Sequence, residues 1–418
     1  MHAANESQPR PTIAEHLERV LALASPRVQR EVPLDQAAGH VLAAPVEARL
    51  PVPPFANSAV DGFAAHAADL DGEGPWTLPV AGDVPAGSPA HECPEGHALR
   101  VMTGAPISPR DAAEASDVVV IPVEQTNIPR GPHPLPEQVT ITHVEPGRRH
   151  IRAAGENAQP GAVVAEADTV LDAGALAAMV STGVRTVDVY AHPTVAVVST
   201  GSELVAWPGE VRDAQIPDSN LPMIAELAAQ ASKHRARILR FHADDDAEAE
   251  AILHRAAAEA DVVITSGGVS AGAFDVVREV TSAGGEMWFG HVAQRPGSPQ
   301  GAGTFHDTPF VCLPGNPVAA YVSFLLYGAP LIAAQAGQTR GVRLHERPRV
   351  RARRALGFAA TTKPGTTYAV PVRLRYDGGD AVAESFAPAT GSSFVASLVG
   401  VDGLAVVEKQ DGPIEVYL

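Results

Sequence analysis

Cysteine is nearly absent: Cys93 and Cys312 are the two in 418 residues. They lie far apart with no CxxC spacing, which excludes a disulfide framework and a structural zinc site. Two small buried thiols in a reducing compartment are the expectation. Basic residues are outnumbered, 31 Lys and Arg against 48 Asp and Glu. The resulting formal charge of −17 excludes a general nucleic-acid or anionic-membrane surface. A local basic pocket remains compatible with it, and an anionic ligand would need one. The opening MHAANESQPRPTIAEH has no apolar stretch of the kind a secretory signal needs, so a cytoplasmic protein is expected. Long apolar runs are missing too, apart from residues 318–334, which approach the ~20 residues of a membrane span. Gly328 and Pro330 interrupt that run and a strand directly precedes it, so it reads as a buried helix of an α/β core.

What is present is a globular composition, with 45% hydrophobic and 19% charged residues, long enough for several domains. Residues 12–24 predict an amphipathic helix: Thr12 and Glu15 make a capping box, and Ile13, Leu17, Val20 and Leu21 share a face. Residues 30–50 read as strand, helical turn (34–40) and strand. Over 51–147 the composition shifts to Pro, Gly and Val, with short strands at 118–123 and 139–144, which predicts a β-rich domain. Residues 150–183, with a helix at 171–181, are expected to pack back on the N-terminal helix around this insert.

From 187 the pattern becomes regular. Strands at 195–199, 237–241, 261–265 and 310–313 lead to helices at 221–231, 246–258, from 274 and from 317. Continuous apolar strands and amphipathic helices predict a doubly wound parallel sheet. The remainder, from about 342, is strand-rich and predicts a small barrel or sandwich. The fold class expected is therefore multidomain α/β plus β. A discontinuous bridging domain would occupy 1–46 and 148–186, a β-rich domain 47–147, the α/β domain 187–338 and a C-terminal β domain 339–418.

Ligands of a doubly wound sheet bind at the carboxyl ends of its strands. The first strand ends in Ser199, Thr200, Gly201 and Glu203; the next is followed by Asp244, Asp245 and Asp246. The third leads to Ser266, Gly267, Gly268 and Ser270, then Asp275, and the fourth to Pro314, Gly315, Asn316 and Pro317. Successive glycine N–H groups suit phosphate oxygens, and Glu203, Asp244 and Asp275 suit a Mg²⁺ bridging them. Asp245 and Asp246 read as helix caps, and a helix-start carboxylate is a competing role for Glu203. Asn316 and Pro317 fix a helix start able to face an anion. Earlier in the chain, PPFANSAVDGFA (53–64) is so dense in turn formers that it predicts a rigid exposed loop carrying one carboxylate, Asp61. The competing role for Asp61 is an ordinary Asp-Gly turn.

These segments, with VMTGAPI (101–107), SDVVVIPVE (116–124), HIRAAGEN (150–157), STGSEL (199–204), IPDSN (216–220), TSGGVSAGAFD (265–275), RPGSP (295–299), LPGNPVAA (313–320) and TGSSFVASL (390–398), resemble the molybdopterin molybdenumtransferases, the MoeA type related to the gephyrin E domain. They occur in the family's order over nearly the whole chain. The resemblance implies a four-domain homodimer whose site lies between the α/β domain of one chain and the β-rich domain of its partner. It implies conversion of adenylylated molybdopterin and molybdate, with Mg²⁺, to molybdenum cofactor and AMP, with the substrate coming from an upstream molybdopterin adenylyltransferase. Asp61, Thr103, Glu203 and Asp275 match catalytic positions; Asn57, Ser58, Asp218, Ser219, Asn220, Arg295 and Ser392 join the strand-end residues as substrate-binding. No nucleic acid or membrane partner is implied.

The chain departs from the family at Asn157, where Asp is usual, at Ser298, where KPGKP has its second Lys, at Gln300-Gly301-Ala302-Gly303, and at Ala319, where NPVS has Ser. These changes bear on anion handling. The alternatives are a paralogue that binds molybdopterin species as carrier or regulator, and a scaffold.

Overall fold

Alternate residues of the strand Thr194–Thr200 face two separate apolar cores, which makes it the centre of the α/β unit. Val195 and Val197 pack with Ile224, Ala225 and Ala228 of the helix Asn220–Ala231; Ala196 and Val198 pack with Leu253 and Ala256 of Asp246–Glu259 and Val277 of Val276–Ala283. A strand covered on both faces has no reason to alternate, hence its continuous apolar run. The computed structural model describes residues 10–113, 116–269, 275–355, 358, 364–385, 394–408 and 412–418.

The sheet has six strands in the order Arg237–Ala243, Thr194–Thr200, Val262–Ser266, Thr308–Leu313, Pro299–Phe305, Gly285–His291. The first four run parallel, as expected. The last two join through antiparallel pairings, Pro299–Phe305 running against the other five strands, so the sheet is mixed where a parallel one was expected. The turn from Phe305 to Thr308 passes through His306 and Asp307, both left-handed at φ 49° and 64°, a two-residue hairpin whose twist suits an antiparallel pair. Glycines hide this strand from propensity: a Cβ on Gly303 would fall 2.1 Å from the Glu286 carbonyl, so the close strand contact admits only glycine.

The apolar run forms Pro317–Ser323, a π turn at Phe324–Gly328 and Ala329–Gln335 in one continuous helix. Pro330 cannot donate to the preceding turn, which accounts for the widening there. Pro317–Gln335 is long and apolar enough to cross a membrane, but 67% of its most apolar stretch is buried within the protein, as a core helix would be.

The N-terminal helix Ile13–Leu21 has the predicted capping box: Thr12 Oγ1 accepts from the Glu15 N–H at 3.2 Å, and Glu15 Oε2 accepts from the Thr12 N–H at 2.7 Å. It does not pack on residues 150–183. Ile13, Leu17 and Val20 join Tyr327 and Leu331 instead, because the π-containing helix offers a broad apolar face. Residues 163–190 pair with 28–47 on their own: Val28–Pro33 with Thr186–Tyr190, and Val46–Glu47 with Val163–Ala165, over a core of Leu42, Leu171, Met179 and Val189.

The β-rich region holds a five-stranded sheet ordered Val118–Pro122, Gly62–His66, Ala98–Val101, Trp76–Val84, Gln138–Ile141. The C-terminal strands close into a five-stranded barrel. Thr367–Asp377 pairs with both Asp380–Ser385 and Gly403–Val407, and Arg349–Arg354 and Ile414–Tyr417 complete the circuit. Cys93 and Cys312 are buried free thiols, pushed up to about 12 chiefly by burial.

His16 sits fully buried between Trp288 and Tyr327, and burial, with the Arg19 charge beside it, pushes its imidazole down to about 3. A histidine held neutral in the fold contributes stability that is complete above the unfolded value of ~6.5 and is lost as pH falls toward the folded one. Replacing His16 with Phe should flatten the unfolding free energy between pH 6 and 4 by up to about 1.4 kcal/mol per pH unit. Denaturant unfolding across that range checks it; an unchanged slope would rule out His16 as a source of acid lability.

Candidate active site

Asp61 is presented by a loop that is cross-linked before it reaches the carboxylate. Asn57 and Ser58 pair with Arg152 and Ile151, and Ser58 Oγ donates to the Val60 carbonyl at 2.6 Å while accepting from the Val60 N–H at 3.3 Å. Gly62 opens the next strand so close to its neighbour that a Cβ would lie 1.9 Å from the Ile121 carbonyl. Asp61 is thus no hairpin turn residue: it stands at the mouth of a sheet. Thr103 binds it twice, with its N–H at 2.6 Å and its hydroxyl at 2.8 Å, both donating to Oδ1. Those two bonds hold the carboxyl below its usual range, so Asp61 stays ionised well into acid while Oδ2 receives neither. The Thr103 turn is tied back in turn, since the Gly104 N–H donates to the Ser58 carbonyl at 2.9 Å.

Asp61 and Thr103 line a cavity of about 760 Å³ together with Phe63, Arg100, Arg130 and His133. Sequence reasoning missed the last three. Arg100 is clamped by Asp83, with Nε to Oδ1 at 3.0 Å and Nη2 to Oδ2 at 2.6 Å, and its Nη1 donates to the His133 carbonyl at 3.1 Å. It therefore pins the 129–134 loop that forms the cavity wall. The usable signal was that loop's density of Pro and Gly around one Arg and one His.

A second cavity, of about 710 Å³, opens at the carboxyl ends of the parallel strands. Thr200, Gly201, Glu203, Gly267, Gly268, Asp275, Pro314, Gly315 and Asn316 all line it, as do Ser202, Gly297, Pro299 and Ala319. The helix-start role for Glu203 fails, because the chain continues into the short strand Leu204–Val205 and the helix begins only at Asn220. Asp275 does cap a helix, Oδ1 accepting from the Arg278 N–H at 3.3 Å. Asn316 occupies the cap position of its helix but makes no capping bond, so its side chain belongs to the cavity wall.

Several predicted residues play a different part. Asp244 lines neither cavity; its carboxylate turns to His242 at 3.2 Å. Asp245 caps the helix, its side chain accepting from the Glu248 N–H, whereas Asp246, also expected as a cap, is the first helical residue; both face the cavity. Asp218 and Asn220 are buried: Asp218 Oδ1 accepts from the Asn220 and Leu221 N–H groups, and the Asn220 amide donates to Ser266 Oγ at 2.7 Å and the Gly315 carbonyl at 2.6 Å. Ser199 and Ser266 are buried beneath the loops, while Ser219, Arg295 and Pro317 stand outside the lining. Asn157 is exposed on the turn whose backbone docks on Val52 and Pro53, and Ser298 Oγ folds back to the Val292 carbonyl at 2.8 Å. Ser270 and Ser392 lie outside the described residues.

Among the described residues no group of three or more His, Cys, Asp or Glu side chains stands close enough to hold a metal alone. The lining of the second cavity nevertheless carries Glu203, Asp245, Asp246 and Asp275 and, among the described residues, no Lys or Arg. A hard cation held by one or two of these carboxylates plus ligand oxygens fits that donor set. The two cavities share no lining residue.

Comparison with known proteins agrees along the chain. Residues 11–183 match the MoeA N-terminal region (domain I and II), 196–334 a probable molybdopterin binding domain, and 353–416 the MoeA C-terminal region (domain IV). Molybdopterin molybdenumtransferase 2 of Mycobacterium tuberculosis is 38% identical over 325 residues, covering 75% of this chain and 77% of the relative. The molybdopterin molybdenumtransferase of Haemophilus influenzae is 36% identical over 308 residues, 73% of this chain and 72% of the relative. The molybdopterin biosynthesis MoeA protein of Pyrococcus horikoshii, a crystal structure, superposes with a TM-score of 0.73 at 25% identity, covering 98% and 99% of the two chains. With curated relatives this similar over three-quarters of its length, and the same fold from end to end, the chain belongs to the molybdopterin molybdenumtransferase family, the MoeA proteins.

Proposed function

We propose that this protein inserts molybdenum into molybdopterin, converting adenylylated molybdopterin and molybdate to molybdenum cofactor and AMP. The observation that carries the reading is the strand-end cavity, where glycine backbone from four loops meets four carboxylates and, among the described residues, no basic side chain. A phosphate ester entering it would be repelled unless a cation came too, and Glu203 or Asp275 would hold such a Mg²⁺. When bound, the ion would neutralise charge that develops as the pyrophosphate link breaks. Backbone N–H groups at Gly268 and Gly315 would orient the phosphates, while the Gly267 N–H is spent on the Leu313 carbonyl at 3.1 Å. Asp61, kept ionised by Thr103, supplies a fixed carboxylate for positioning or for a proton-transfer step at the metal-receiving end.

The separate linings of the two cavities favour a homodimer in which Asp61 of one subunit completes the strand-end cavity of the other. The substrate class calls for an upstream molybdopterin adenylyltransferase, and both belong in the cytoplasm.

The deciding assay is purified protein with adenylylated molybdopterin, Mg²⁺ and molybdate, following AMP and active cofactor together. Molybdate-dependent AMP release with cofactor formed is expected; tight pterin binding without either product would make this chain a carrier. Replacing Asp61 with Asn should lower cofactor formation by about 100-fold or more with melting unchanged, and retained turnover would remove Asp61 from the mechanism. Glu203→Gln should raise the Mg²⁺ concentration for half-maximal rate about tenfold; a Mg²⁺ dependence identical to wild type would assign the ion elsewhere.

A further inference from the structure

The Gly297–Pro299 wall of the strand-end cavity is held from behind by a buried amide network. Gln300, fully buried, donates from Nε2 to the Gly297 carbonyl at 2.7 Å and to Ser323 Oγ at 2.6 Å. Gln294, also buried, donates to the Pro296 carbonyl at 3.1 Å and to Ser323 Oγ at 3.3 Å, and its Oε1 accepts from the Tyr327 hydroxyl. Below them, the Val292 N–H donates to the Ser298 carbonyl at 2.7 Å. Three successive carbonyls of the loop are therefore turned into the protein, each against a donor. Gly297 has no slack to do otherwise while the network stands: its φ is +78°, and a Cβ would lie 2.9 Å from Ser323 Oγ and 3.2 Å from Pro314 Cγ.

This orientation matters because the wall has little else to offer an anion. Ser298 carries no charge and folds away, and the cavity lining is acidic. A carbonyl turned outward would add another negative dipole, whereas one turned inward leaves the wall free of it. Removing the Gln300 donor would strand the Gly297 oxygen without a partner, and the nearest remedy is to rotate the peptide toward water in the cavity.

We propose that Gln300 and Ser323 are positioning residues that keep the Gly297 carbonyl out of the cavity and so let it accept an anionic group. This rests on the reading of the cavity as a phosphate-binding site. Titration calorimetry of the full chain with AMP and with adenosine, alongside crystal structures of the variants, tests it. Gln300→Leu removes both amide donors at nearly constant volume. It should weaken AMP binding about tenfold and leave adenosine binding unchanged, with the Gly297 carbonyl turned into the cavity. Ser323→Ala, a milder change in case the first variant fails to fold, should weaken AMP binding about threefold with adenosine again unaffected.

Equal losses for AMP and adenosine would mean general loosening and overturn the proposal, as would a Gly297 carbonyl that stays in place in both variants. Wild-type protein that ignores AMP would instead count against the proposed reaction. In that case the carbonyl orientation in the variants still decides whether Gln300 and Ser323 hold the loop.

Discussion

The buried amide of Asn220 ties together the loops that make the strand-end cavity. It reaches Ser266 Oγ at the end of one strand and the Gly315 carbonyl after another, while its own N–H is held by Asp218. Asp218 in turn bonds His242 Nδ1 at 2.9 Å, at the end of a third strand. Buried polar groups tolerate few arrangements, because each lost partner costs a full desolvation penalty in a medium of low dielectric. The glycines at 201, 267, 268 and 315 thus arrive at one place with little freedom to move apart. Residues of the IPDSN segment hold the site without lining it.

A second network runs from the N-terminal helix to the opposite wall of the same cavity. His16 stacks edge-on against Tyr327 with ring centroids 4.6 Å apart, Tyr327 bonds Gln294, and Gln294 meets Gln300 at Ser323. The π turn at Phe324–Gly328 is where these contacts converge. A helix that begins the chain and a helix three hundred residues later are thereby packed onto one loop, and neither contributes a side chain to the reaction proposed.

The chain's charge shapes the chemistry open to it. With a formal charge of −17 overall, the chain lines its strand-end cavity with four carboxylates and, among the described residues, no Lys or Arg. For the reaction proposed, the devices available there are backbone N–H groups, carbonyls turned away, and carboxylates able to take a cation. The Asp61 cavity differs: Arg100 and Arg130 stand near its carboxylate, but Arg100 is committed to Asp83, and Arg130 lies 2.6 Å from Glu124. The Asp61 cavity therefore holds its basic groups in fixed, internally balanced pairs, whereas the strand-end cavity carries four carboxylates and, among the described residues, no basic side chain to balance them.

The parallel strands, their helices and the turn chemistry at Asp61 were legible in the amino-acid order, because apolar runs, caps and glycines act locally. The capping box at Thr12 and the buried cysteines belong to the same class. Tertiary structure alone decided what depends on distant partners. It sent the N-terminal helix to the π-containing helix rather than to residues 150–183, and added the antiparallel pairings that glycines conceal. It turned Asp244 away to His242 and made Asp218 and Asn220 into braces. It also brought Arg100 and His133 beside Asp61. A residue's type limits the bonds it can make, but which bonds it makes is settled by neighbours that the chain brings near only once it has folded.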